Sequence, residues 1–338
     1  VMARLYRITD DERFLQCARM FDNIEFFFGD ADHTHGLARN VDTIRGKHAN
    51  QHIPQITGAL AIYRSNREPQ YYHIADNFWH ICTRSYMYAI GGVAGARTPN
   101  NAECFTAEPD SLFRNGFSPG GQNETCATYN LLKLSRELFM YSPDTEYMDY
   151  YEQALYNHIL ASVAETDPGN TYHVPLNPAA RKRFGNARMR GFTCCNGTAL
   201  ESSTKLQDSI YFKSADNAKL YVNLFVPSEV DWDSPDGRIT LRQETEFPES
   251  NAMTYTIRSA QPATFGLKFR VPLWSGKGMA FEVNGEPVEV KAEPGDWAVI
   301  ERTWEDKDTV TAKVDLHIWG EPAPAALSPV AAMYGPVV

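Results

Sequence analysis

The sequence predicts a chain that combines a helical domain over residues 1–208 with a β-domain over residues 209–338. Its 338 residues and 43% hydrophobic content are enough for a large core, and the length favours two domains. Up to about residue 208 the apolar residues follow a helical spacing, whereas beyond it short runs rich in Val, Phe, Tyr and Thr alternate with turn signals. This change of pattern sets the predicted boundary.

The helical part carries a weak internal repeat. Each copy has an aromatic residue, a polar turn, a second aromatic residue and an Ala one helical turn later. The three copies are Tyr6, Phe14 and Ala18; Tyr63, Tyr71 and Ala75; and, with one inserted residue, Tyr141, Tyr150 and Ala154. Because the turn joins one helix to an amphipathic successor, the unit is predicted to be a helical hairpin whose Ala permits close helix contact. Stacked hairpins build solenoids or closed α/α toroids.

The second part reads as an antiparallel β-sandwich. Asn284-Gly285 is the two-residue signal of a β-hairpin, and the flanking runs have the composition of strands. The predicted strands are Lys219–Val226, Met253–Arg258, Phe265–Val271, Phe281–Val283 and Trp297–Glu301.

Charge and hydropathy exclude several functions. The net charge is −10 and no run of Lys or Arg occurs, so we expect neither a nucleic-acid partner nor attraction to an anionic membrane. No stretch reaches the roughly 18 apolar residues of a membrane span. The expected ligand is neutral or small, and a homo-oligomer stays open. Because the chain opens at Val1 in helix-like sequence and stops within β-like sequence, we expect a fragment of a longer protein.

The six cysteines are too few for a disulfide scaffold in a chain of this size. Cys17 and Cys82 lie in helical, apolar-rich sequence, where a buried structural thiol is expected. The remaining four fall in or beside the polar motifs described next.

The first motif is Asn123–Cys126, which precedes a helix-forming run over residues 127–140. Residues two apart do not share a helix face, so Glu124 and Cys126 converge only if the segment is still a turn at the helix start. That arrangement would form a metal or anion site. The plainer interpretation is that Glu124 complements the helix dipole while Cys126 packs beneath it.

The second motif is the adjacent pair Cys194-Cys195, followed by an Asn-Gly turn that could aim both thiols at one point. With Glu124 and Cys126 it offers three soft thiolates and one carboxylate, a donor set that suits tetrahedral zinc. The spacing matches no standard zinc finger, so an unliganded pair is an equal alternative. Thr198-x-x-Glu201 has the form of a capping box, which predicts a helix from there to about residue 208.

The third motif is Glu103, near the end of a long Gly-, Pro- and Asn-rich stretch from Gly91 to Asn123. Long loops in compact domains are usually functional or disordered, and the Glu, Cys and aromatic content of this one favours function. A carboxylic acid beside apolar neighbours can donate a proton near neutral pH. Glu108 is the competing candidate, and an ordinary solvated glutamate is the plainer interpretation of either residue.

Two further polar residues are candidates for a binding site. His48 follows the Gly46 turn at a helix start, where it could face a central cavity or simply cap the helix. Tyr172 opens the segment Tyr172–Leu176, for which packing in a strand or loop is the plainer interpretation.

Taken together, these motifs resemble glycoside hydrolase family 127. The similarity rests on their order and approximate spacing over nearly the whole chain, above all on Glu-Thr-Cys followed some seventy residues later by a vicinal Cys pair. The matching segments are His48-Ala49-Asn50, the Gly91-Gly92 loop leading to Glu103-x-Phe105, Glu124-Thr125-Cys126, Tyr172-x-x-Pro175-Leu176 and Cys194-Cys195-x-Gly197-Thr198. The resemblance implies an (α/α)6 barrel, of which this chain holds the later helices, followed by a β-sandwich.

The resemblance also implies the roles of the site residues. It implies a zinc ion bound by Glu124, Cys126, Cys194 and Cys195, with β-L-arabinofuranosides or related plant-glycan sugars as substrate. Cys194 would be the nucleophile of a retaining hydrolase and Glu103 its general acid/base, with His48 and Tyr172 contacting the sugar. Counting back from Glu124 without a gap selects Glu108 instead. Two alternatives are a carbohydrate-binding or structural protein with a purely structural zinc, and a zinc hydrolase that activates water.

Overall fold

A computed structural model of the chain describes residues 1–95, 102–118, 120–166, 169–185, 192–324 and 330–338. The chain divides into two compact units. Unit 1 comprises residues 1–143, 153–203 and 321–331, and unit 2 comprises residues 144–152, 204–320 and 332–338. Among the described residues, no helix combines the length and the apolar character needed to cross a bilayer.

Unit 1 is built from helices. Its principal α-helices, with a ninth helix shared with unit 2, are α1 (Met2–Thr9), α2 (Glu12–Arg19), α3 (Ile24–Phe28), α4 (Ala49–Asn66), α5 (Pro69–Ser85), α6 (Leu112–Gly116), α7 (Thr125–Phe139), α8 (Thr145–Ala154) and α9 (Cys194–Ser203). A π-helical turn, Leu155–Ile159, follows α8 directly. A short antiparallel pair, β1 (Gln122–Glu124) and β2 (His173–Pro175), precedes α7.

The predicted repeat falls on consecutive helices. Its three turns lie between α1 and α2, between α4 and α5, and between α7 and α8. Ala75 and Ala154 are fully buried, as close helix contact requires. The indole N–H of Trp79 on α5 donates to Ser135 on α7 at 2.7 Å, so neighbouring hairpins are also joined by a polar bond. Cys82 is buried as expected, whereas Cys17 is only partly so.

Unit 2 is built mainly from strands. They are β3 (Tyr211–Lys213), β4 (Lys219–Val222), β5 (Ser228–Ser234), β6 (Gly237–Thr245), β7 (Ala252–Ser259), β8 (Ala263–Arg270), β9 (Met279–Val283), β10 (Glu286–Val288), β11 (Trp297–Trp304), β12 (Thr309–Val314), β13 (Ile318–Pro322) and β14 (Val330–Tyr334). One sheet has the order β10-β9-β12-β7-β6-β5 and another β11-β8-β4-β3, while β13 and β14 form a pair of their own.

The sheets are mostly antiparallel, with one exception. The hairpin from β9 to β10 turns at Asn284 and Gly285, whose φ values of 53° and 82° are those of the predicted two-residue turn. The strands β4 and β8, however, pair in parallel, which the prediction of a wholly antiparallel fold did not include. A parallel pair requires a long crossover, and here the crossover is the chain from β5 to β7.

A buried ion-pair cluster explains why residues 144–152 belong to unit 2. The guanidinium of Arg270 on β8 is fully buried and forms ion pairs with Asp149 and with Glu152, the latter at 2.6 Å. Arg270 Nε also donates to the carbonyl of Asn223 at 2.8 Å, and the indole of Trp274 donates to Glu152 at 2.9 Å. We call these residues the Arg270 cluster; it attaches most of α8 to the strands.

Candidate metal centre and active site

Glu124 and Cys126 lie at the junction of β1 and α7. Glu124 ends the strand and has extended dihedral angles (φ −82°, ψ 127°), and the helix begins at the next residue. This change of backbone lets residues two apart converge, as the sequence predicted. The Glu124 side chain forms no capping hydrogen bond, so it does not have the plainer capping role. Both side chains are almost wholly buried, each 1% exposed.

Cys194 and Cys195 open α9. The helix is capped by Thr193 and Asn196: the Asn196 side-chain oxygen accepts from the Thr193 N–H at 2.7 Å and from its hydroxyl at 2.9 Å. This reciprocal bond makes the two thiols residues of the first helical turn.

The capping box predicted at Thr198 and Glu201 is therefore wrong. Both residues lie inside α9, which begins at Cys194 and ends at Ser203 rather than near residue 208. The Thr198 hydroxyl donates to the Cys195 carbonyl at 3.3 Å and lies 3.2 Å from Cys126 Sγ. The true cap is five residues earlier, because an Asn at the third helical position can replace the usual Glu.

The two motifs meet in space. One donor atom from each of Glu124, Cys126, Cys194 and Cys195 lies within 4.8 Å of all the others, and we call these residues the four-ligand cluster. Cys126 Sγ and Cys195 Sγ are 3.1 Å apart, and Cys195 Sγ lies 3.9 Å from Glu124 Oε1. Cys194 is exposed, whereas Cys126 and Cys195 are buried. The cluster therefore has one accessible thiol.

The electrostatics of the cluster suit a cation. Burial, and next the Cys195 sulfur, raise the pKa of Glu124 to about 8. The hydrogen bond from Cys126 lowers the pKa of Cys195 to about 7. Within the described residues, Glu124 Oε2 is buried and has no hydrogen-bond partner. A buried, unpartnered carboxylate oxygen beside three thiols is the donor set that soft or borderline divalent metals prefer.

Glu103 lies between two imidazole rings. Its Oε2 is 2.8 Å from His48 Nε2, and its Oε1 is 3.2 Å from His173 Nε2. The backbone fixes this position, since the Ala49 N–H donates to the Glu103 carbonyl at 2.9 Å. Glu108, the competing candidate, is 68% exposed and pairs with Arg114 at the surface. Glu103 is therefore the carboxylate that faces the four-ligand cluster, and it does so among imidazoles rather than apolar groups.

Tyr172 connects the thiol with the carboxylate. Its hydroxyl lies 3.5 Å from Cys194 Sγ, and its ring lies 4.2 Å from that of His173 between centroids. Burial, followed by the hydrogen bonds to Cys194 and Glu103, raises the pKa of Tyr172. His48 stands at the first position before α4 but forms no capping bond with its side chain. Its ring is directed to Glu103 instead.

The sequence analysis missed three residues of this site. His173 lies next to Tyr172 in the same motif, but alternation along a strand would have sent the two side chains apart. Asn50 donates to Glu124 at 3.2 Å, and Asn130 donates to Asn50 at 2.8 Å. The only available signals were the nearness of Asn50 to His48 and the helical spacing of four between Asn130 and Cys126.

The fold and the site define a two-unit α and β protein with a thiol and carboxylate metal-type centre beside a second, histidine-flanked carboxylate. The family model described as the β-L-arabinofuranosidase, GH127 catalytic domain, matches residues 1–208, and that of the GH127 middle domain matches residues 219–316. The chain therefore belongs to glycoside hydrolase family 127, the family of the β-L-arabinofuranosidases, as its motifs indicated.

Solved structures support the fold. A glycoside hydrolase superposes with a TM-score of 0.80 at 22% identity, covering 99% of this chain and 58% of its own. A GH127 β-arabinofuranosidase gives 0.78 at 21% identity, with 99% and 54% covered. A GH127 β-L-arabinofuranosidase from Geobacillus stearothermophilus T6 gives 0.73 at 22% identity, with 99% and 56% covered. The chain thus spans little more than half the length of these structures. No curated protein matches it.

Proposed function

We propose that this chain carries the active site of a retaining glycoside hydrolase that acts on β-L-arabinofuranosides or related plant-glycan sugars. Membership of family 127 supports the substrate class, and the helical hairpins support the later part of an (α/α)6 barrel. Aromatic contacts between the two larger sheets, such as Tyr255 with Phe269 at 5.0 Å, support a β-sandwich after a boundary near residue 208.

We propose zinc as the metal of the four-ligand cluster, held by Glu124, Cys126, Cys194 and Cys195. The support is the donor set itself together with the unpartnered Oε2 of Glu124. When bound, zinc keeps the coordinating thiols deprotonated and spreads their charge. Because Cys194 is the exposed member, its sulfur is the one that a sugar can reach.

In the first step, the Cys194 thiolate attacks the anomeric carbon. The new C–S bond forms as the glycosidic C–O bond breaks, and the Glu103 carboxylic acid gives its proton to the departing oxygen. His48 and His173 hold the two Glu103 oxygens, which directs the carboxyl toward the cluster. Tyr172, 3.5 Å from the thiol, orients Cys194 and contacts the sugar together with His48.

In the second step, water replaces the thiol. The Glu103 carboxylate takes one proton from the water, whose oxygen attacks the anomeric carbon and expels the Cys194 thiolate. Two displacements on the same carbon retain its configuration. The released sugar carries the new hydroxyl, and Glu103 is protonated again for the next cycle.

The observation that carries this proposal is the juxtaposition of one exposed thiol with one histidine-flanked carboxyl. A purely structural zinc site, the alternative from the sequence, would have no need of an accessible sulfur or of the Tyr172 hydroxyl beside it. A site that activates water would need an open coordination position, whereas here four protein ligands converge.

The test is the hydrolysis of an aryl β-L-arabinofuranoside by wild type and by two matched variants. Glu103→Ala should fold normally and lose about 10²–10⁴-fold in kcat, because it removes general acid/base catalysis. Glu108→Ala removes a carboxylate from the same loop and should retain wild-type activity. Mass spectrometry of the Glu103→Ala protein, mixed with a substrate that has a good leaving group, should find the sugar on the peptide containing Cys194.

Three results would contradict the proposal. They are full activity in Glu103→Ala, a sugar attached to a residue other than Cys194, and inversion of the anomeric configuration by NMR. Loss of activity in Glu108→Ala alone would move the acid/base role to that residue.

A further inference from the structure

Glu124 uses only one of its two oxygens in hydrogen bonds to other side chains. Asn50 Nδ2, from the first turn of α4, donates to Glu124 Oε1 at 3.2 Å. Oε2 is buried and unpartnered within the described residues. The side chain as a whole is 1% exposed, so water does not reach Oε2 freely. One oxygen is thus engaged by the protein and the other is left for a ligand.

The Asn50 amide is itself held in one orientation. Asn130 Nδ2 donates one hydrogen to Asn50 Oδ1 at 2.8 Å and is 3.2 Å from the carbonyl of Cys126. A flipped Asn50 amide would turn its NH2 toward the NH2 of Asn130 and its oxygen toward the Glu124 carboxylate. Asn130 therefore fixes which end of Asn50 faces Glu124, although Asn130 has no hydrogen bond to Glu124.

We propose that Asn130 and Asn50 form a positioning relay that makes Glu124 a ligand through Oε2 alone. The inference rests on the zinc site proposed above. The relay begins and ends on α7, since Asn130 lies one helical turn after Cys126 and Glu124 immediately precedes the helix. It connects two ligands of the cluster through a residue of α4. Hydrogen-bonding partners behind metal ligands commonly set ligand orientation in this way.

The test measures the zinc dissociation constant of the full 338-residue chain by competition with a chromophoric chelator at constant pH. Asn50→Asp removes the donor and places a like charge beside Glu124. Asn130→Asp leaves Glu124 untouched but lets the Asn50 amide flip. The control is Asn66→Asp, which removes an amide donor from Glu68 at the other end of the same α4.

We expect Asn50→Asp to weaken zinc binding about 10–100-fold, the usual loss for such a partner, and Asn130→Asp to weaken it about 10-fold. Asn66→Asp should bind zinc like wild type. The double variant should bind no more weakly than Asn50→Asp, because both changes break one path. The metal-free variants should keep the wild-type circular dichroism and melting temperature, which a merely structural role would lower.

Cobalt(II) supplies a second readout. In both relay variants the charge-transfer bands from sulfur should keep their intensity, while the ligand-field bands shift, because the carboxylate oxygen moves and the thiolates do not. If Asn50→Asp fails to fold, Asn130→Asp alone carries the test.

Each result decides between the two proposals. If wild type binds no zinc, the metal site fails and the relay with it. If wild type binds zinc tightly and Asn130→Asp binds it equally tightly, the relay alone is overturned. A double variant whose loss is the product of the two single losses, or an Asn50→Asp protein that binds zinc more tightly, overturns the relay too.

Discussion

Two buried clusters of charged groups treat their charge in opposite ways. In the Arg270 cluster of unit 2 the chain supplies both signs, since one guanidinium pairs with two carboxylates. In the four-ligand cluster of unit 1 the chain supplies only acidic groups, and no Lys or Arg of the described residues forms an ion pair with Glu124. The first cluster is complete in itself, whereas Glu124 keeps an unpartnered buried oxygen.

The difference separates a structural cluster from a ligand site. Burial of a charge is strongly unfavourable unless a partner compensates it. Arg270 provides that compensation within the fold, and the result is the attachment of most of α8 to strands. Around Glu124 the compensation must come from protons or from a cation. Its pKa of about 8 shows the first solution, and zinc would be the second.

The largest expected effect is in the complete cluster. Arg270→Met leaves Asp149 and Glu152 buried without a cation and should destabilise the protein by about 3–5 kcal/mol. Urea unfolding followed by circular dichroism measures this loss. Arg238→Met is the matched control, because it breaks an exposed pair with Asp231 and should cost at most about 1 kcal/mol. Equal losses in the two variants would contradict the contrast between complete and exposed pairs.

The next effect is that of the metal on the incomplete cluster. Zinc at 1,000 times its dissociation constant should stabilise wild type by about 4 kcal/mol, since only the folded chain gathers the four ligands. Glu124→Gln should gain far less, because an amide oxygen is a poorer ligand than a carboxylate. Thermal unfolding with and without zinc measures both gains. An equal gain in the variant would remove Glu124 from the ligand set.

His158 shows a third treatment of a buried titratable group, because it remains neutral. It is fully buried beside the Thr128 hydroxyl, 2.7 Å from Nδ1, and burial lowers its pKa to about 3. Between pH 6.5 and that value the unfolded chain binds a proton that the folded chain does not, so stability falls as the pH drops. From pH 7 to pH 5 the contribution of His158 should fall by about 2 kcal/mol.

The measurement is the difference between wild type and His158→Gln in free energy of unfolding at the two pH values. His158→Gln should lack this part of the pH dependence. His35→Gln, a change at an exposed histidine, should retain it. A His158→Gln protein with the wild-type pH dependence would show that the ring is already protonated in the folded state.

The smallest effect is expected for Glu124→Gln in the metal-free protein. With a pKa of about 8 the carboxyl is mostly neutral at pH 7, so an amide of the same shape should change stability by less than about 1 kcal/mol. The same substitution at Glu152 removes a charged partner of Arg270 and should cost about 3 kcal/mol. A large loss at Glu124 and a small one at Glu152 would reverse the comparison.

Much of the site could be predicted from the sequence because short motifs carried it. The turn that brings Glu124 and Cys126 together, the Cys194-Cys195 pair and the His48 helix start are all local features. The choice of Glu103 over Glu108 was not local. It depends on His48 and His173 from other segments, and only the folded chain brings them together.

The fold was predictable to a similar extent. The helical repeat and the Asn284-Gly285 hairpin follow from periodicity and turn chemistry. Strands β5 and β6 were missed because charged residues such as Arg242 alternate with buried ones and dilute the apolar signal. The parallel pairing of β4 with β8 and the placement of residues 144–152 in unit 2 depend on long-range partners, above all Arg270, that no local pattern specifies.

The most direct test of the account is X-ray absorption spectroscopy at the zinc edge on the purified 338-residue protein. We expect one zinc per chain with three sulfur neighbours at about 2.3 Å and one oxygen at about 2.0–2.2 Å. A protein that holds no zinc after equilibration with the metal, or one whose zinc has only nitrogen and oxygen neighbours, would contradict the central claim that Glu124, Cys126, Cys194 and Cys195 bind one ion.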